Sequence, residues 1–300
     1  MCHSNLEATM SNLKAKLALI SSMTIFATIG IFRHYIPLPS GTVAMARAVI
    51  GTIFLVALIL IRGSKISFSS IKKNLVPLLL SGTFLGFNWI LLFESFNYTT
   101  VATGTLCYYM APVILILVSP IAFKEKLTLP KILCVIVAVV GMTFVSGIFS
   151  SGEQGSDNFK GVLLGLAAAV LYASIVTCNK KLKDISSFDR TTFQLGLSAI
   201  FMVPYTFFAE GFNAADYTPS VIIMLLVVGV LHTGVAYALY FGCIDKLKTQ
   251  TVALYSYIDP VGAVLLSALL LKEPMGALQI IGAVLVLGAT LVSDFVDRKK

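Results

Sequence analysis

Ten long apolar runs follow one another along this chain, and they restrict its fold more than any other feature. Each is close to the roughly 20 residues that cross the hydrocarbon core of a bilayer as a helix. They cover residues 14–33, 41–62, 75–96, 99–123, 130–149, 160–179, 191–209, 219–243, 249–271 and 275–296. The runs do not alternate polar and apolar residues, which argues against barrel strands, and the short connections leave no room for a soluble domain. The sequence therefore predicts an all-α integral membrane protein with ten transmembrane helices.

The second half of the chain repeats the first at an offset of 148 residues. Between residues 86 and 132, 13 of 47 positions are identical to the residue 148 positions later. Among the matches are Gly86 and Gly234, Tyr109 and Tyr257, Pro112 and Pro260, and Lys124-Glu125 and Lys272-Glu273. A duplicated unit of this size is typical of secondary transporters built from two repeats. We predict five-helix repeats at 14–149 and 160–296, with a tail at 1–13, a linker at 150–159 and a basic tail at 297–300.

The distribution of basic residues predicts the orientation. With a cytoplasmic N-terminus, 18 of the 22 basic residues fall in cytoplasmic segments, which is the pattern of the positive-inside rule. Both termini are then cytoplasmic, in a multi-pass protein of the cytoplasmic (inner) membrane, and the 150–159 linker is external. Because five helices per repeat is an odd number, the two repeats are inverted relative to each other. Topology and contact with anionic lipid explain the net charge of +8, so no nucleic-acid partner is expected.

No motif in the sequence predicts enzymatic chemistry. The five cysteines show no Cys-x-x-Cys spacing, and no phosphate-binding loop, zinc-protease helix or serine-hydrolase elbow occurs. We therefore expect no metal, no cofactor and no enzyme activity. An intramembrane enzyme stays an alternative, although only Asp259 and His232 come near the positioned group that it would need.

Polar residues near the centres of the spans are the candidates for function. Asp259 lies at the centre of the ninth span, beside Pro260 and one turn after Tyr255, and a carboxylate at that depth should face the bundle interior or water. His232 lies at a similar depth in the eighth span, and an unperturbed imidazole titrates near pH 6.5. If both face one cavity, Asp259 and His232 form a proton-handling pair. A packed core role is the alternative for each.

Aromatic and amide side chains occur at the same depth, away from the interfacial belt where membrane aromatics concentrate. The candidate substrate-binding residues are Asn88, Trp89, Tyr108, Tyr109, Tyr255, Tyr257 and Asp259. Ring faces can wall a cavity for an amphipathic metabolite and bind an ammonium group. Ordinary core filling is the alternative for any one of them.

Structural roles are predicted for a further set of residues. Arg47 in the second span and Glu94 in the third are expected to form an ion pair, in preference to direct binding of a substrate carboxylate by Arg47. Pro112 and Pro260 interrupt their helices, since proline lacks a backbone donor. Glu125 and Glu273 each end a helix and are assigned to capping and repeat packing.

The segment from Tyr109-Met-Ala-Pro112 to Lys124-Glu125, echoed by Tyr257-Ile-Asp-Pro260 to Lys272-Glu273, resembles the EamA family of the drug/metabolite transporter superfamily. Each half resembles one EamA unit, and Arg47 matches an arginine common in the second helix of that unit. The resemblance implies ten helices, an inverted five-plus-five fold, a central cavity and solute movement without ATP, often efflux of amino acids or related metabolites. Where many members show Trp-Gly, this chain has Phe26-Ala27 and Tyr172-Ala173.

The sequence and the resemblance together predict a secondary transporter that exports or exchanges small polar, amino-acid-like metabolites, with proton coupling as a hypothesis. Its cavity is expected between spans one, three, four, six, eight and nine, with five and ten at the periphery or in a dimer contact. The partners are a small-molecule substrate and membrane lipid, and the protein is a monomer or a homodimer. The alternatives are an uncoupled facilitator or channel and, less favoured, an intramembrane enzyme.

Overall fold

The fold is helical throughout the part of the chain that the structure, a computed structural model, describes: residues 2–64, 66–124, 126–146, 156–211, 213–273 and 275–297. The α-helices are α1 Cys2–Ala27, α2 Ile29–Tyr35, α3 Ser40–Ile61, α4 Phe68–Lys73, α5 Leu75–Tyr98, α6 Val101–Tyr108, α7 Ala111–Phe123, α8 Leu129–Val145, α9 Ser156–Asn179, α10 Ser187–Tyr205, α11 Pro219–Gly229, α12 Ala236–Cys243, α13 Thr249–Ser256, α14 Ile258–Leu270 and α15 Ala277–Asp297. Turns of π-helix follow α10 at Thr206–Glu210 and join α11 to α12 at Val230–Val235, and 3₁₀ turns occur at Ala214–Asp216 and Ile244–Lys246.

Seven apolar segments of the described chain are long enough to cross a membrane. They are Leu13–Tyr35, Ser40–Ile61, Leu75–Tyr98, Val101–Phe123, Asp157–Asn179, Ser187–Glu210 and Pro219–Cys243. Three shorter apolar helices, Leu129–Val145, Leu254–Leu270 and Ala277–Ser293, occupy the other predicted runs. Large apolar side chains on the outside of the bundle are strongly exposed, for example Ile121 at 87% and Phe208 at 83%. An apolar exterior of this kind is compatible with lipid and not with water.

The two prolines that mark the repeat interrupt equivalent helices. Pro112 is the second residue of α7, just after the break that separates it from α6, and Pro260 is the third residue of α14, just after the break that separates it from α13. Because proline cannot donate a backbone hydrogen bond, the carbonyls a turn earlier lose their helical partner at both breaks. The helices that follow the two breaks, α7 and α14, also end in the same way. Lys124 (φ 57°) and Lys272 (φ 55°), just beyond them, both adopt the left-handed conformation that terminates a helix.

The helices predicted to lie at the periphery, α8 and α15, pack against each other. Gly141 of α8 and Gly282 of α15 face one another so closely that a Cβ on either would meet the carbonyl oxygen of the other. The contact continues into a cluster that includes Ala138, Val145 and Val286. Helices in lipid gain no hydrophobic drive from mutual contact, so close backbone approach through small residues is what stabilises such a pair.

Some of the residues singled out by the sequence lie outside the described ranges. Glu125, predicted to have a structural role, is one of them. Most of the predicted linker at 150–159 and the end of the basic tail at 297–300 are others.

Candidate substrate-binding cavity

A cavity of about 440 Å³ lies inside the bundle, where the breaks of the two discontinuous helices meet. Its lining residues are Met23, Phe26, Ala27, Ile29, Gly30, Arg47, Trp89, Leu92, Phe96, Thr105, Tyr108, Tyr109, Ala111, Pro112, Tyr172, Tyr237, Tyr240, Val252, Ser256, Tyr257, Asp259 and Ala263. All six spans predicted to wall the cavity contribute, and the second span adds Arg47. The cavity falls within the roughly 300–1,000 Å³ of small-molecule sites.

Arg47 lines this cavity, and only one of its three guanidinium nitrogens donates a hydrogen bond to a described residue. Its Nε donates to Thr233 Oγ1 at 2.8 Å, and the guanidinium carbon lies 3.9 Å from the centroid of the Trp89 ring. Thr233 is positioned by the π-helical turn, in which its own hydroxyl bonds the Val228 carbonyl five residues earlier. The two terminal nitrogens of Arg47 have no acceptor among the described residues. The cation-π contact therefore holds the arginine over the face of Trp89 while leaving donors for a ligand.

The predicted ion pair between Arg47 and Glu94 is wrong. Glu94 accepts hydrogen bonds from Ser40 Oγ at 2.7 Å and from Asn97 Nδ2 at 2.9 Å, near the outer ends of their helices. Arg47 lies about two helical turns further along α3 than Ser40, which is why it faces the cavity instead. The salt bridge found among the described residues joins Lys73 to Asp184 on the surface, where the Lys73 ammonium lowers the pKa of the Asp184 carboxyl.

Asp259 is the second charged residue of the cavity lining. Its Oδ2 accepts a hydrogen bond of 2.6 Å from Tyr109 Oη, across the boundary between the repeats. The neighbouring tyrosine expected from the sequence, Tyr255, is not among the lining residues and packs instead against a cluster with Leu19 and Cys243. The tyrosine partner of the carboxylate is thus supplied by the opposite repeat, at the break between α6 and α7.

His232, a candidate for proton handling if it faced the cavity, and Asn88, a candidate for substrate binding, do not line the cavity. His232 is fully buried, lies 2.9 Å from Thr28 Oγ1 and packs its ring edge-on against Phe32. Asn88 is also fully buried, and its Nδ2 donates to the Ala168 carbonyl of α9 at 2.6 Å. The imidazole of His232 and the side-chain amide of Asn88 thus make polar contacts between helices. The structure therefore does not bring His232 and Asp259 together at one site.

Nine of the 22 residues that line the cavity are aromatic. Of the predicted set, Trp89, Tyr108, Tyr109 and Tyr257 line it. Three tyrosines were missed as candidates: Tyr172, Tyr237 and Tyr240. The sequence carried a signal for two of them. Tyr237 is the repeat counterpart of Trp89, and the resemblance to the EamA family aligns Tyr172 with a tryptophan that many members show. Tyr108 packs on Tyr172 with ring centroids 5.3 Å apart, and Phe26 on Tyr237 at 5.4 Å.

The charges of the cavity are asymmetric between the repeats, because the repeat counterpart of Asp259 is Ala111. Of its lining residues, Arg47 is basic and Asp259 acidic. They do not approach each other to ion-pair distance. No cluster of three or more His, Cys, Asp or Glu residues suited to a metal occurs among the described residues.

The remaining predicted structural acid, Glu273, accepts hydrogen bonds from Ser267 and from the Val101 backbone N–H at 3.0 Å, and so caps the start of α6.

Sequence relatives cover nearly the whole chain. The uncharacterized transporter YxxF of Bacillus subtilis (strain 168) is 29% identical over 272 residues, which span 91% of this chain and 86% of the relative. The uncharacterized transporter YetK of the same organism is 26% identical over 300 residues, spanning 96% and 87%. A solved crystal structure superposes with a TM-score of 0.66 at 17% identity over 95% of this chain and 98% of its own, which shows a shared fold.

The family model described as the EamA-like transporter family matches the chain twice, at residues 13–147 and 159–293. At the offset of 146 residues that relates Phe26-Ala27 to Tyr172-Ala173, Ser22 corresponds to Ala168. The 148-residue offset relates Asn88 to Ala236 in the same way. Ser22 Oγ donates to the Ala236 carbonyl at 2.8 Å, as Asn88 donates to Ala168, so one interhelical contact is made twice. The chain belongs to the EamA-like transporter family of the drug/metabolite transporter superfamily, and it is a multi-pass membrane transporter.

Proposed function

We propose that this protein is a secondary transporter of the cytoplasmic membrane that exports or exchanges amino-acid-like metabolites by alternating access. The observation that carries the proposal is that one aromatic cavity contains Arg47, from the continuous helix α3, and Asp259, beside the break between α13 and α14, without an ion pair between them. A zwitterion offers a carboxylate for the arginine and an ammonium group for the aspartate.

The membrane arrangement in this proposal has ten crossings and two inverted repeats. The seven longer segments and the three shorter apolar helices together make the ten crossings. Local thinning of the bilayer and contact with neighbouring helices allow the shorter helices to cross. Both termini are cytoplasmic, because this orientation places 18 of the 22 basic residues in cytoplasmic segments. The paired contacts of Ser22 and Asn88 support a two-fold relation between the repeats, and symmetry-related repeats give the two conformations that alternating access needs.

Recognition of the substrate is assigned to both ends of the cavity. The terminal nitrogens of Arg47 bind the carboxylate, held in place by Thr233 and by the face of Trp89. Asp259, oriented by Tyr109, binds the ammonium group. Tyr108, Tyr172 and Tyr257 supply the apolar and ring-face contacts for the side chain of the substrate.

Proton coupling is assigned to Asp259 alone. A proton and a substrate ammonium group both require the same carboxylate, so their binding is mutually exclusive there and transport can exchange one for the other. His232 is left out of this scheme because it lies away from the cavity lining. An uncoupled facilitator, in which Asp259 only orients the substrate, is the second candidate, and it is favoured by the absence of any further acidic residue among those that line the cavity.

The test is counterflow in liposomes containing the purified protein, with a panel of radiolabelled amino acids and related amines and acids. We expect saturable counterflow for zwitterions. Trp89 is the single tryptophan of the chain and stacks on Arg47, so its fluorescence gives an independent binding signal in detergent. Ion conductance in place of counterflow would support a channel, and formation of a new product would support an enzyme.

A further inference from the structure

A second arginine lies unpaired near the cavity, at the end that the proposed topology turns toward the cytoplasm. Arg190 belongs to the first turn of α10 and is partly buried. Its Nε is buried and has no hydrogen-bond partner among the described residues. The buried neighbour Asp189 does not approach it to ion-pair distance. Native structures rarely leave a buried guanidinium donor unsatisfied, so this position suits a ligand that completes it.

Aromatic rings connect Arg190 to the cavity wall. Its guanidinium carbon lies 6.0 Å from the centroid of the Phe241 ring. That ring packs against Tyr240 at 5.2 Å and against Tyr237 at 5.7 Å, and both tyrosines line the cavity. The guanidinium therefore lies one aromatic ring, that of Phe241, away from two tyrosines that line the cavity.

The surroundings of Arg190 favour an anion. The nearest carboxylate on its own helix, Asp189, lies in the first helical turn, where the helix dipole stabilises it in place. Asp184 on the preceding loop is already paired with Lys73. Most basic residues of the chain belong to the same face of the membrane in the proposed topology, and a positive field of this kind concentrates anions at a site. Guanidinium binds carboxylates in a bidentate manner, which a lysine cannot reproduce.

We propose that Arg190 is the first binding group for the substrate carboxylate on the cytoplasmic side, from which the substrate passes along Tyr240 and Tyr172 to Arg47. This proposal rests on the proposed function and adds to it a separate, outer anion site used in one direction only. The two arginines then bind the substrate in succession: Arg190 binds its carboxylate at the cytoplasmic mouth of the cavity, and Arg47 binds it at the centre.

The experiment compares Arg190→Gln and Arg190→Lys with the parent protein in vesicles of defined orientation. The probe is the standard amino acid with the highest parent counterflow, together with its carboxamide, which lacks the negative charge. Lys183→Gln is the control, because it removes one exposed positive charge from the same surface without touching the ring cluster. KM is measured from each face of the membrane.

We expect Arg190→Gln to raise KM for the amino acid at the cytoplasmic face by about tenfold, as loss of a charge-assisted hydrogen bond would, while KM at the external face and the maximal rate are retained. Arg190→Lys restores part of the affinity, and Lys183→Gln changes little. The carboxamide should give the same KM in the parent and in Arg190→Gln.

Two other results would overturn the role of Arg190. An equal rise of KM at both faces, or an equal rise for the carboxamide, would point to a structural or lipid-binding arginine. A parent protein that gives no counterflow with any amino acid would instead contradict the proposed function, and this proposal with it.

Discussion

Tyr109 donates a hydrogen bond of 2.6 Å to Asp259 and thereby links the break of the α6–α7 pair to the start of α14. The two residues occupy non-equivalent positions of the repeat, because Tyr109 matches Tyr257 whereas Asp259 matches Ala111. The breaks in the two repeats are equivalent, but the charge-assisted hydrogen bond that joins them has no counterpart between Tyr257 and Ala111. It orients the only carboxylate among the lining residues toward the cavity.

Replacement of Tyr109 by phenylalanine should weaken substrate binding without unfolding the protein. The ring that walls the cavity is kept, while the donor that holds Asp259 is lost. We expect KM in counterflow to rise roughly tenfold, within the range for a hydrogen bond to a charged group. Tyr108→Phe is the matched control, because the hydroxyl of Tyr108 has no hydrogen-bond partner among the described residues, and it should have a smaller effect. Equal effects of the two substitutions would contradict the assignment.

The Asp259→Asn variant tests proton coupling. If a proton competes with the substrate for this carboxylate, the parent protein should show a KM that rises as the pH falls from about 8 to 5.5, because protonation removes the charge that binds the ammonium group. Asparagine does not titrate, so its KM should be high and independent of pH. A pH profile of the same shape in both proteins would favour the facilitator. His232→Gln should alter stability and leave the profile intact.

The close contact between α8 and α15 predicts different outcomes for two glycines of the same helix. Gly282→Ala places a methyl group against the Gly141 carbonyl, and we expect a loss of about 1–3 kcal/mol of stability from overpacking. Gly288 has open space around its Cβ position, so Gly288→Ala should be neutral or should stabilise the helix by up to about 1 kcal/mol. Thermal unfolding in detergent measures both. A Gly282→Ala protein as stable as Gly288→Ala would show that the helices are not in contact there.

The proposed topology is tested by cysteine accessibility. Lys181 and Lys160 are both exposed, at opposite ends of α9 or just beyond it. A maleimide that does not cross membranes should label Lys160→Cys in intact cells and Lys181→Cys only after permeabilisation. Labelling of Lys181→Cys from outside would refute the orientation.

The sequence predicted the membrane class, the repeat and the helices around the cavity because these depend on run length and on an offset that can be counted. Pro112 and Pro260 also located the helix breaks, since a missing backbone donor has the same effect in any fold. The rotation of each helix was not predictable in the same way. Apolar residues face both lipid and neighbouring helices, so the pattern does not distinguish the two sides. Asn88 was therefore assigned to the cavity although it bonds α9, and Arg47 was paired with Glu94 although it faces the cavity.

In the proposed mechanism Arg47 and Asp259 bind opposite ends of one zwitterion, and a counterflow experiment with two substrate analogues tests this most directly. The carboxamide analogue lacks the negative charge, and the des-amino acid lacks the positive one. We predict that the parent protein prefers the amino acid over both, by roughly tenfold or more. Arg47→Gln should lose the preference over the carboxamide only, and Asp259→Asn the preference over the des-amino acid only. Equal counterflow of the amino acid and both analogues by the parent protein would contradict the claim.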